Sequence, residues 1–256
     1  MSVKGKVFAA AATLTLAGGV GVAGLATAGA ANAATPSCGF SCVDVFSHQF
    51  GTFADPSFVM DSFKQGDVAG TQVILFRTSN SDPAEDFQTD NVGAVSEFYA
   101  LGLVSPEVDL HYGCVATGTP GLCNGAGQAD YEAYEFSYTP YGVDTGLCAG
   151  VAATAVNGEH VTLQPCGVSS KTIWIAGEHP VPSTRPTKFD PLSQFEEPLI
   201  NGSDTNFTDP YSLTYGGSSY PTDTPRPPLY TQTLLGFTNH AENSNQLFSA
   251  DYGVLP

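Results

Sequence analysis

The chain has 256 residues, of which 25 are acidic and 8 are lysine or arginine, giving a net charge of −17 at neutral pH with histidine uncharged. Such a surface repels phosphate backbones and anionic lipids, which argues against nucleic-acid and membrane partners. Glycine (28) and proline (18) are abundant and helical periodicity is scarce, so an all-β chain rich in turns is expected.

Residues 1–33 read as an export signal. Lys4 and Lys6 form a short basic start, an uncharged run of Ala, Gly, Val and Leu follows, and Ala31-Asn32-Ala33 is a small-x-small cleavage site. A retained membrane anchor is the competing reading, because the run exceeds a membrane span. Its many glycines and alanines make it weakly apolar, which favours cleavage after Ala33. That leaves residues 34–256 as one secreted, extracellular domain, long enough to bury a core.

The entry segment 34–57 is polar and aromatic. Val73-Ile74-Leu75-Phe76 is a compact apolar run suited to a buried strand, and Asp82-Pro83 marks a turn. Residues 95–103 are ambiguous between a strand and a short helix. Val108, Leu110 and Tyr112 alternate as one face of a strand, and so do Tyr134, Phe136 and Tyr138. Val161-Thr162-Leu163 follows an Asn157-Gly158 turn. Ile173-Trp174-Ile175 and Tyr211–Tyr215 are further strands. Residues 177–198 carry five prolines and read as a long loop, and 221–228 as a second proline-rich excursion. Asn201-Gly202-Ser203 and Asn206-Phe207-Thr208 match the N-glycosylation pattern; the signal has a bacterial look, and there both would stay bare.

The six cysteines are Cys38, Cys42, Cys114, Cys123, Cys148 and Cys166. An even number in an exported chain implies disulfides, and the spacing favours three local bridges: Cys38–Cys42, Cys114–Cys123 and Cys148–Cys166. Paired CxxC or CxxC…HxxxH spacing for zinc is absent.

A sequence unit recurs three times. The first copy gives Met60-Asp61, then Val73-Ile74-Leu75-Phe76, then Glu85-Asp86-Phe87. The second gives Cys148-Ala149-Gly150, Val161-Thr162-Leu163-Gln164 and Thr172-Ile173-Trp174; the third gives Leu213-Thr214-Tyr215, Leu229-Tyr230 and Gln246-Leu247-Phe248. This grammar resembles the ricin B-type lectin repeat: an acid after an apolar residue, an apolar-x-apolar-aromatic strand, then a closing Q-x-W. The resemblance implies a β-trefoil with long insertions between copies. It implies that Phe87, Trp174 and Phe248 meet in one core, and that Cys148 and Cys166 are the intra-repeat pair. It also implies one surviving sugar site in the first copy, with Asp61 as bidentate acceptor, Phe76 as stacking platform and Glu85 nearby. In the second copy Gly150 and Gln164 replace the acid and the aromatic. The third keeps an aromatic, Tyr230, but has Thr214 or Tyr215 in place of the acid. Structural uses compete: a strand-end Asp caps turns, and Phe76 suits a core.

Catalytic signals are missing. HExxH, GxSxG, P-loop and GxGxxG motifs are absent. Glu159-His160 and Glu178-His179 are adjacent pairs that a strand points to opposite faces. Asp67, Asp82 and Asp86 have calcium-type chemistry but no calcium-loop spacing. The sequence therefore predicts an all-β, disulfide-stapled, ricin B-like β-trefoil without catalytic residues, metal or cofactor. It would be a secreted module that weakly binds a neutral saccharide through Asp61, Phe76 and Glu85, or a structural or protein-interaction factor on an inactive lectin scaffold. Its partner would be that saccharide or an extracellular protein.

Overall fold

The computed structural model describes residues 42–50, 58–77, 79, 82–113, 131–176, 181–182, 195–216, 228–235 and 243–252. All belong to the unit Thr35–Pro256. The signal segment, Cys38, Cys114, Cys123 and His179 lie outside the described residues. No helix among the described residues is long and apolar enough to cross a membrane.

Twelve strands fall into three sets of four. The first is β1 (Val43–Ser47), β2 (Phe58–Ser62), β3 (Val73–Arg77) and β4 (Phe87–Ala94). Two helices follow, α1 (Val95–Ala100) and α2 (Pro106–Tyr112). The second set is β5 (Glu132–Tyr138), β6 (Leu147–Val151), β7 (Glu159–Pro165) and β8 (Ile173–Ala176). A short ribbon, β9 (Val181–Pro182) with β10 (Phe195–Glu196), separates it from the third. That third set is β11 (Leu199–Asn201), β12 (Tyr211–Tyr215), β13 (Leu229–Thr233) and β14 (Phe248–Tyr252).

The pairing is that of a β-trefoil. First and fourth strands of each set form a closed barrel: β1–β4, β4–β5, β5–β8 and β8–β11 pair in turn, and β14 returns to β1. The junction between β11 and β14 is made just before β11, where Glu197 and Phe248 exchange both backbone hydrogen bonds at 2.9 Å. The remaining strands form the hairpins β2–β3, β6–β7 and β12–β13. Their tips are tied in a triangle by Gln72↔Thr162, Ile74↔Pro228 and Tyr230↔His160. Closure leaves the barrel without a free edge.

Phe87, Trp174 and Phe248, the opening residues of β4 and β14 and the second of β8, are 0%, 0% and 1% exposed and share one core cluster. Inward-facing residues of all three sets join them, among them Val45, Met60, Leu75, Phe136, Leu163, Leu213 and Leu229. Each fully buried aromatic or aliphatic side chain of this kind is worth about 1.5–3 kcal/mol over its exposed state. The three rings therefore weld three copies that none could stabilise alone. Cys148 and Cys166 are bonded, joining β6 to the end of β7, and Cys42 is also in a disulfide.

The alternation of Val108, Leu110 and Tyr112 does not mark a strand. Ser105 caps a helix there, its Oγ accepting from the Val108 amide at 3.2 Å, with Pro106 at the first helical position and Glu107 and Asp109 in the first turn. Val108 and Tyr112 are one helical turn apart and both buried, while Leu110 is 43% exposed. The ambiguous segment 95–103 contains α1, where Glu97 reaches back to accept from the Ala94 amide. Both helices lie in the insertion between the first and second sets and pack a second apolar cluster of Val95, Phe98, Val108 and Tyr112 against Ile173, Ile175 and Ile200.

Candidate functional site

Strand register fixes which residues are equivalent. Asp61 pairs with Ile74, Gly150 with Thr162 and Thr214 with Tyr230. Asp61, Gly150 and Thr214 therefore hold one position in the three copies, and it is Thr214, not Tyr215, that replaces the acid in the third. Phe76 faces Val59, Gln164 faces Cys148 and Gln232 faces Ser212. The third-copy counterpart of Phe76 is thus Gln232. Tyr230 sits two residues earlier on β13, so the sequence assignment of Tyr230 as the surviving aromatic is corrected. The cause is the excursion between β12 and β13, which makes residue counting across the hairpin uninformative.

Each copy also forms a 3-10 turn just before its fourth strand: Pro83–Glu85, Ser170–Thr172 and Ser244–Gln246. The last residue of each turn lies against the equivalent hairpin position. In the third copy Gln246 Nε2 donates to Thr214 Oγ1 at 3.0 Å and to Ser212 Oγ at 3.2 Å. In the second copy the backbone itself fills the space. A Cβ on Gly150 would lie 2.6 Å from the Lys171 carbonyl oxygen and 2.9 Å from Thr172 Cγ2, so only glycine fits.

In the first copy the same place holds carboxylates. Oxygens of Asp61, Asp82 and Glu85 lie within 4.8 Å of one another. Asp61 is 0% and Glu85 6% exposed; Asp82 is half-buried. Asp82 caps the 3-10 turn, its Oδ1 accepting from the Ala84 amide at 3.0 Å and from Gln65 Nε2 at 3.1 Å. The Ser79 amide donates to both Glu85 oxygens at 2.9 Å. Burial pushes the Glu85 carboxyl up to about 9, against the lowering by that amide, and the negative charges of Asp44, Asp61 and Asp82 add to the rise. Burial likewise lifts Asp86 to about 6, opposed by a 2.8 Å hydrogen bond from the Tyr141 amide and reinforced by Asp82.

Asp61 and Glu85, two of the sequence-derived site residues, lie together and both are buried. Phe76 is half-buried on β3. Asn201, the first residue of one glycosylation pattern, is 1% exposed; its side chain donates to the Lys171 carbonyl and accepts from Ser203. Sequence reasoning passed over Tyr141, which is 58% exposed with φ at 55° and therefore in the left-handed region that non-glycine residues rarely occupy. Gly142 beside it, at φ 74°, is the local signal that marked this turn. Tyr141 shares its loop with Val143, 64% exposed. That loop ends at Gly146, whose carbonyl accepts from the Cys166 amide at 3.0 Å, next to the turn carrying Val168, 68% exposed.

No protein-family profile matches the chain, and no curated protein matches it. Among solved structures it is similar to the designed 3-fold symmetric protein ThreeFoil, at 10% identity and a TM-score of 0.46, over 82% of this chain and 97% of that one. It is also similar to part of a mosquitocidal holotoxin, at 8% identity and a TM-score of 0.42, over 83% of this chain and 17% of that one. The trefoil assignment rests on the strand pairing given above.

Proposed function

We propose that the protein is an exported, non-catalytic interaction module, built on a lectin-like trefoil that no longer reads sugars at the usual acid position. One observation carries this reading. Asp61, Gly150 and Thr214 occupy the position from which a sugar-ordering acid would act, and all three are buried: Asp61 beside Glu85, Gly150 packed on Lys171 and Thr172, and Thr214 accepting from Gln246. Recognition then falls to the loops. Tyr141, Val143 and Val168 stand out on two turns tied together by the Cys166–Gly146 hydrogen bond and anchored by the Cys148–Cys166 bridge. Exposed apolar side chains on linked turns, on a chain of charge −17, suit an extracellular protein with a basic rim around an apolar patch.

The test is a panel of immobilised neutral glycans, with chemical cross-linking in culture fluid beside it. This reading expects a flat glycan response and a saturable protein cross-link that weakens at least tenfold in Tyr141→Ser. Saturable binding of a neutral glycan that disappears in Phe76→Ala, with the fold intact, would restore the sugar reading and sink this one.

A further inference from the structure

We infer that the Asp86 side chain is the latch that seats Tyr141, and so regulates the contact through Tyr141 proposed above, a reading on which this inference rests for its function. Tyr141 is 58% exposed at φ 55°. A non-glycine residue keeps that backbone where its surroundings over-determine it. The turn closes on itself through backbone bonds, from the Gly142 amide to the Thr139 carbonyl at 2.8 Å and from the Val143 amide to the Pro140 carbonyl at 3.1 Å. The Tyr141 amide reaches out of the turn and donates to Asp86 Oδ2 at 2.8 Å. The Asp86 carbonyl accepts from the Thr139 amide at 2.8 Å and from Thr139 Oγ1 at 3.3 Å, so the foot of the turn rests on the same residue.

The internal threefold separates this acid from the needs of the fold. Asp86 ends the 3-10 turn of the first copy and stands before Phe87. In the second and third copies that place belongs to Ile173 and Leu247, before Trp174 and Phe248, and both are buried. An apolar side chain thus serves the trefoil there twice. In the first copy the place carries a half-buried carboxyl, and that carboxyl meets the Tyr141 turn.

Seating the turn is linked to a proton. Burial lifts the Asp86 carboxyl from 3.8 to about 6, while the Tyr141 amide opposes the rise and the charge of Asp82 adds to it. The neighbouring titratable groups leave that sign in place. Glu85 is itself pushed up to about 9 by burial, the Tyr138 phenol on β5 is raised by burial, and Asp144 in the turn accepts from the Gly146 amide at 2.7 Å. A released turn returns Asp86 to water and to its ordinary range. The seated turn therefore binds the proton more tightly. Its advantage is complete below the lower value and is lost as the pH rises through the upper one. The protonated carboxyl keeps an oxygen that accepts from the Tyr141 amide, so acid removes the buried charge without removing the bond.

The experiment is hydrogen exchange of the Tyr141 amide in the full chain, followed by NMR and expressed as protection relative to the intrinsic rate at each pH. Wild type should be protected at least tenfold more near pH 4.5 than near pH 8. Asp86→Asn, which keeps a carbonyl oxygen and carries no charge, should be protected at both. Asp86→Ala should lose the protection at both. The proposal is overturned by wild-type protection that is equal at the two pH values, by Asp86→Ala that keeps Tyr141 protected, or by Asp86→Asn that loses it. If Asp86→Ala fails to fold, the wild-type and Asp86→Asn series still decide. The readout lies within the chain and needs no partner. Failure here leaves the Tyr141→Ser cross-linking result standing, and an absent cross-link leaves the latch standing.

Discussion

Gln246 donates to Thr214 across 3.0 Å in the third copy, at the place where Glu85 meets Asp61 in the first. One geometric position thus carries a neutral pair in one copy and an acidic pair in another. Gln246 also donates to the Thr233 carbonyl at 3.0 Å and accepts from the Leu235 amide at 2.9 Å, and it is 2% exposed.

Gln246→Ala should therefore be among the costliest single changes in the hairpin layer. It leaves the buried Ser212 and Thr214 hydroxyls without their donor, and leaving a buried polar group unpaired costs about 1–3 kcal/mol. A loss of that size, read from urea unfolding midpoints at constant slope, is expected. A loss under about 0.5 kcal/mol, the size of ordinary surface changes, would show that the amide does not organise this copy.

Gly150→Ala tests the second copy by steric means. The added carbon would meet backbone at 2.6 Å, which cannot yield as a flexible side chain would. Overpacking of this kind costs about 1–3 kcal/mol. Thermal melting should drop accordingly, and Gly150→Asp should drop further without gaining glycan binding. A variant as stable as wild type would mean that the contact with Lys171 and Thr172 is looser than described.

Glu197 should set a pH dependence. Burial, with the negative Glu132 adding to it, lifts its carboxyl from 4.5 to about 8. Below the lower value both folded and unfolded chains hold the proton. Between the two values only the folded chain holds it, so raising the pH favours unfolding; above the upper value the loss is complete. Chemical denaturation in Glu197→Gln should show little difference from wild type near pH 4.5 and greater stability than wild type near pH 8. Equal stability at both ends would remove Glu197 from the account.

The repeat was legible because its chemistry is local: an apolar strand and a closing aromatic at Phe87, Trp174 and Phe248 need no knowledge of distant residues. The Cys148–Cys166 bridge was legible for the same reason. Burial of Asp61 was not, because alternation along β2 shows which residues share a face and not what covers that face. Here the cover comes from Asp82 and Glu85 on a turn beyond the next strand. The helix at 106–112 was misread although Ser105-Pro106 marks its start, since Val108 and Tyr112, four residues apart, share a face in a strand and also across one helical turn. Tyr230 was mistaken for the counterpart of Phe76 because hairpin register depends on the intervening loop.

Trp174 is the chain's single tryptophan, so its fluorescence reports on the shared core without interference. Phe87→Leu and Phe248→Leu lie in the other two copies, and acrylamide quenching of Trp174 should increase in both folded variants while the wild-type indole stays protected. Quenching unchanged by either substitution would place the three rings in separate cores and contradict the threefold arrangement.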